Sequence, residues 1–247
     1  MQRRNFVRAA GCAAAFAWTA GLAAQKPRTI WSKEAFDAAR PAAEAVQRHP
    51  FVTGVFAGTL RKSAFVSYLE QNLFYLSSYA RALDVVAGRL GELSGFSKES
   101  QDFARWAQET RDLRQWTIDF ASSLTGSRID EKALCPAAET LAYIHLEERS
   151  AAHEELPAAA AALLPCFWIY DEFAEALRAR AVLKGNPFRQ WIEPLGSTDA
   201  HQSALRAAAA VDRLAEAASA GVLSRMKDLF VAGCWHEWSL FEAALRS

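Results

Sequence analysis

The sequence predicts an all-α protein, a single-domain bundle of several helices. From Trp31 onward apolar residues recur at three- and four-residue steps, and no stretch shows the strict alternation of a half-buried strand. Composition agrees. AVILMFWYC residues make up 51% of the 247 residues and charged residues 23%, while Gly (12) and Pro (8) are sparse, a balance that suits a globular helical chain and argues against disorder.

Taken in order, Ser32 is placed to cap a first helix carrying Phe36 and Val46, and His49-Pro50 ends it because the residue before a proline avoids the helical region. A short helical turn then runs to Gly58. Residues 63–90 form a long amphipathic helix on Phe65, Leu69, Leu73, Leu76, Leu83 and Val86, closed by the segment 91–95 with a glycine at each end. Helices follow over 98–124, 131–153, 156–183, 201–220 and 223–246, separated by Gly126-Ser127, by Pro157 and by the stretch 184–199. The alanine-rich runs 151–162 and 204–220 predict closely packed helices rather than linkers. A single bundle buries all of these stripes, and no domain boundary shows within 31–247.

Residues 1–24 read differently. Arg3-Arg4-Asn5-Phe6-Val7-Arg8 precedes an uncharged, alanine-rich run over 9–24, the order of a signal peptide, and the paired arginines resemble bacterial twin-arginine signals. The expectation is export to the periplasm with cleavage near Ala23 or Ala24, leaving no membrane anchor, since the run is short for a span of about 20 residues. Cleavage would remove Arg3, Arg4, Arg8 and Cys12, taking the formal charge from 0 to −3 and the cysteines from four to three. An odd count leaves a thiol free or paired with another chain, and a Cys135–Cys234 disulfide would leave Cys166 as the free one.

Charge excludes one class of function. Lys+Arg and Asp+Glu balance at 28 each, and no basic run interleaves with aromatics, so the footprint of a nucleic-acid binder is missing. There is no Cys-x-x-Cys, His-Glu-x-x-His or repeated Glu-x-x-His, no glycine-rich phosphate loop and no Gly-x-Ser-x-Gly, so metal, nucleotide and serine-hydrolase readings lack support.

Cys166 follows Leu164-Pro165 near the start of a helix, where unpaired backbone N–H groups favour a thiolate, and Tyr170 lies four residues on along the same face. Spacing alone is weak evidence, since a buried cysteine most often acts as a small hydrophobe. Asn72 and Tyr75 share a face of the long helix among Leu69, Leu73 and Leu76, as a ligand-binding pair or as a hydrogen-bonded pair that sets helix register. Glu237 sits in Cys-Trp-His-Glu-Trp-Ser-Leu-Phe, where burial would raise its pKa toward acid–base usefulness; a surface glutamate is the alternative.

Several ordered blocks resemble the TenA/thiaminase II family. They are His49-Pro50-Phe51-Val52 through Gly58-Thr59-Leu60, then Phe65, Tyr68-Leu69, Gln71-Asn72-Leu73-Phe74-Tyr75-Leu76 and Tyr79-Ala80-Arg81-Ala82-Leu83. Leu164-Pro165-Cys166-Phe167-Trp168-Ile169-Tyr170 resembles the segment carrying that family's catalytic cysteine, and Asn186-Pro187-Phe188, Trp191-Ile192 and the last helix fit in order. The resemblance implies a heme-oxygenase-like bundle, a homotetrameric assembly, no cofactor, and hydrolysis of aminopyrimidines derived from thiamine. It implies Cys166 as nucleophile and Glu237 as the acid–base group on a ring nitrogen, with Tyr170 orienting the cysteine and Tyr75 touching the pyrimidine. Two matched positions depart from the pattern. Asn72 stands where the family has an aspartate that pairs with the aminopyrimidine, and Leu195 stands where it has a tyrosine, so this pocket is less polar. Export is a third departure. Beside the hydrolase, the sequence therefore leaves open an exported non-catalytic binder of pyrimidines or other heteroaromatics, and a cofactor-free oxidase like the PQQC branch.

Overall fold

The computed structural model describes residues 30–246; the signal-peptide reading of residues 1–24 lies outside them. Ten α-helices follow in order: α1 Trp31–Gln47, α2 Pro50–Ala57, α3 Lys62–Gly91, α4 Ser97–Thr125, α5 Ala138–His153, α6 Leu156–Leu163, α7 Pro165–Arg178, α8 Arg189–Leu195, α9 Thr198–Ala215 and α10 Ala220–Leu245. No strand occurs among the described residues. None of these helices is long and apolar enough to cross a membrane.

One core collects the buried stripes of the bundle. The predicted face of α3 is its spine: Phe65, Leu69, Leu73, Leu76, Leu83 and Val86 are each at most 3% exposed, and α3 packs along α4, α5, α6 and α10. The alanine-rich expectation holds in α6, where Ala158, Ala159, Ala160, Ala161 and Ala162 are buried and α3, α5, α9 and α10 all come against the short helix. Small side chains let backbones approach, and nowhere more than at Gly233 of α10, where an added Cβ would sit 2.6 Å from Cγ of Pro165.

Four local expectations are corrected. Ser32 lies inside α1 and does not cap it; instead Asp212 of α9 accepts from the Ser32 backbone N and Oγ, both at 2.7 Å, doing the capping from a distant helix. The helix expected over 131–153 is a 3₁₀ turn, Glu131–Ala133, followed by α5, because Pro136 cannot continue the first segment. Gln71 secures the start of α5: its Oε1 accepts from Ala137 N at 2.7 Å and Thr140 Oγ1 at 2.9 Å, and its Nε2 donates to the Cys135 carbonyl at 3.1 Å. The helix expected over 156–183 is two helices, α6 and α7, divided at Pro165. Finally, the stretch 184–199 contains α8. Asn186 pins it there, donating to the Val55 and Val182 carbonyls and accepting from Phe188 N, while Gly58 holds a left-handed φ of 71° against the Asn186 side chain.

The Cys135–Cys234 disulfide does not form. Both thiols are free, Cys135 exposed and Cys234 completely buried.

Candidate active site

The break at Pro165 builds the site. Proline occupies the first position of α7, which leaves Cys166 as its second residue, and the Leu163 carbonyl at the end of α6 is taken up by the Tyr79 hydroxyl at 2.7 Å. Cys166 opens into a cavity of about 380 Å³ walled by α3, α4, α7 and α8. Asn72, Tyr75, Tyr170 and Leu195 line the same cavity, so five of the six residues singled out from the sequence meet there. Trp116 of α4 and Trp191 of α8 supply aromatic walls, and half-exposed Leu113 marks the solvent side.

The sixth residue, Glu237, is completely buried on α10 behind the tyrosines. Tyr143 donates to its Oε1 at 3.1 Å, while its Oε2 has no hydrogen-bond partner among the described residues. Burial pushes the carboxyl up to about 8, and the Tyr143 and Tyr170 hydroxyls pull it back only in part. It is thus mostly protonated at neutral pH, as a general acid requires. The hydroxyls of Tyr68 and Tyr170 meet at 2.7 Å, linking α3 to α7 at the cavity.

The thiolate expectation for Cys166 is corrected. Burial first, and the charge of Glu237 second, push its thiol well above the usual range, outweighing the nearby Tyr75 and Tyr79 hydroxyls. The helix N-terminus is present, but the desolvation cost outweighs it. Cys166 rests as a neutral thiol.

Glu147 of α5 was overlooked in the sequence. It is completely buried, hydrogen-bonded through Oε1 to the Tyr75 hydroxyl at 3.0 Å, with Oε2 unpartnered among the described residues. Burial, then the charge of Glu237, pushes its carboxyl well up. A signal existed: Tyr143 and Glu147 are four apart on the stripe that also carries Thr140 and Ile144. Glu148 lies at the surface side, paired with Arg81 at 2.7 Å and Ser78 at 2.6 Å. Tyr79, Tyr75 and Tyr143 form a stacked ladder, with centroids 5.4 and 5.0 Å apart, behind the sulfur.

A larger cleft of about 680 Å³ lies between α1, α9 and α10, but it brings together no cysteine or tyrosine and adjoins Ile30, where the described residues begin. Among the described residues no three His, Cys, Asp or Glu side chains gather as a metal would require.

The all-helical bundle that holds this cysteine- and tyrosine-lined cavity has the heme-oxygenase-like fold. A domain of that fold from Shewanella denitrificans superposes with a TM-score of 0.65 at 13% identity, covering 87% of this chain and 91% of that one. The chain belongs to the TENA/THI-4/PQQC family, whose model matches residues 36–247. It is similar to the aminopyrimidine aminohydrolase of Bacillus subtilis, 28% identical over 203 residues, covering 80% of this chain and 82% of that protein. A TenA homologue from P. horikoshii superposes with a TM-score of 0.77 at 21% identity, covering 88% of this chain and 99% of its own.

Proposed function

We propose that this protein hydrolyses aminopyrimidines derived from thiamine, with Cys166 as nucleophile and Glu237 as the acid–base group. The observation that carries the reading is that Cys166 faces into the cavity while Glu237 is buried next to the cavity-lining Tyr170, which lies on the same helix as the cysteine. Kinship with an aminopyrimidine aminohydrolase supports the substrate class.

The chemistry follows from the protonation states. As the Cys166 sulfur adds to a carbon of the pyrimidine, Glu237 gives its proton to a ring nitrogen, and its carboxylate recovers the proton that the thiol sheds. Aromaticity is broken, the exocyclic amine takes the proton now held by Glu237 and leaves as ammonia, water adds to the same carbon and returns a proton to Glu237, and the cysteine departs as a thiol with the proton that the ring nitrogen gives up. Trp116 and Trp191 offer flat apolar surface to the ring. Asn72 faces the ligand with a neutral amide, and Leu195 leaves its side of the cavity without a hydroxyl. The paired arginines near the N-terminus support a reaction outside the cytoplasm.

The test is incubation of the reduced protein with 4-amino-5-aminomethyl-2-methylpyrimidine and with thiamine, beside Cys166→Ser, following products by mass. Turnover by the parent that is lost in Cys166→Ser supports the hydrolase. Saturable binding that survives Cys166→Ser, with no product from either protein, replaces it with the binder.

A further inference from the structure

Tyr75 and Tyr79 both adjoin the Cys166 sulfur, yet each has a single hydroxyl hydrogen to give. Tyr79 spends its own on the Leu163 carbonyl, 2.7 Å away, an acceptor left open where α6 stops before Pro165. Only Tyr75 remains to serve the sulfur, and its hydroxyl lies 3.0 Å from Oε1 of Glu147. Were Glu147 ionised, the Tyr75 hydrogen would turn to the carboxylate and the sulfur would face two oxygen lone pairs. Were Glu147 protonated, its O–H could donate to Tyr75 and release the Tyr75 hydrogen toward the sulfur.

We infer that Glu147 is a positioning residue that works as a neutral hydrogen-bond donor: its carboxyl donates to the Tyr75 hydroxyl, which in turn donates to the Cys166 sulfur. The surroundings favour this direction. The side chain is completely buried, and no ion pair reaches it among the described residues. The groups around it are Tyr75 and Tyr79 of α3, Tyr143 and Glu148 of α5, Cys166 of α7 and Glu237 of α10. Of these Glu148 is already neutralised by Arg81, and the rest are neutral or acidic, so nothing stabilises a second buried negative charge. The chain of donors gives the sulfur a partner as negative charge grows on it during attack, where the helix N-terminus alone does not suffice.

The inference rests on the hydrolase reading for its purpose but is tested without turnover. The full chain is treated with iodoacetamide at neutral pH, and alkylation of the Cys166 peptide is timed by mass spectrometry in the parent, Tyr75→Phe, Glu147→Gln and Glu147→Leu. A glutamine amide can donate to Tyr75 as a neutral carboxyl does, so Glu147→Gln stays within about threefold of the parent, whereas Tyr75→Phe and Glu147→Leu fall about tenfold or more, the effect of one hydrogen bond to a charged sulfur. Alkylation of Glu147→Gln as slow as that of Tyr75→Phe would overturn the inference, since an ionised glutamate would then be required. Parental alkylation in Tyr75→Phe would overturn it too, because the hydroxyl would not serve the sulfur. Should Glu147→Leu fail to fold, the comparison of Glu147→Gln with Tyr75→Phe still decides. The expected alkylation pattern with no aminopyrimidine turnover would remove the hydrolase and leave the donor chain standing; turnover with the wrong pattern would do the reverse.

Discussion

Tyr143 of α5 donates to Oε1 of Glu237 on α10 at 3.1 Å, anchoring a completely buried carboxyl. The pair ties two helices at the back of the cavity and sets up an acid whose proton affinity belongs to the folded state.

That affinity gives a signed pH dependence. Folding raises the Glu237 carboxyl from 4.5 to about 8, so the folded chain keeps a proton that the unfolded chain releases. Stability contributed below the unfolded value is lost as pH rises toward about 8. The loss is on the order of 5 kcal/mol for Glu237, with Glu147 acting in the same direction. Urea midpoints of the parent should fall between pH 5 and pH 8 and fall less in Glu237→Gln; equal slopes would refute the assignment. Turnover that depends on protonated Glu237 should decline through the same upper range.

Asn72 lines the cavity without a hydrogen bond to any described residue, so a carboxylate there can turn to the ligand rather than to the protein. Asn72→Asp should lower KM for an aminopyrimidine by about tenfold, the difference between a neutral and a charge-assisted hydrogen bond. Steady-state kinetics on the paired proteins measure it, and an unchanged KM would mean that the pyrimidine does not lie against α3.

Gly233 lets α10 touch the turn that carries Cys166. Gly233→Ala puts a methyl 2.6 Å from Cγ of the buried Pro165 ring and 3.7 Å from the Ala162 carbonyl of α6. We expect a loss of about 1–3 kcal/mol from overpacking, read by urea denaturation, together with slower alkylation of the displaced Cys166. A stable variant with parental alkylation would show that α7 shifts at no cost.

Asp212 caps α1 from α9 through two 2.7 Å bonds to Ser32. Asp212→Ala should cost about 1–2 kcal/mol, as other lost N-terminal caps do, and Ser32→Ala less, since the bond to the backbone N–H survives it. Thermal melts of the two variants check the order.

How much of this was legible in the sequence depends on the range of the forces involved. Helical class, the apolar face of α3 and the tight packing of α6 follow from local periodicity and side-chain size, and Phe65 to Val86 and Ala158 to Ala162 are buried as their spacing predicts. Five site residues were found because their motifs stand in order along the chain, and Glu237 because its neighbours are aromatic. The tertiary structure decided the rest. Asp212 outcompeted Ser32 as a cap from 180 residues away, Asn186 folded α8 out of a stretch without clear periodicity, and Glu147 became a buried partner of Tyr75 only when α5 came against α3. The state of Cys166 reversed for the same reason: a helix N-terminus is a local feature of the sequence, but the desolvation that keeps the thiol neutral is the sum of walls contributed by helices far apart in the chain.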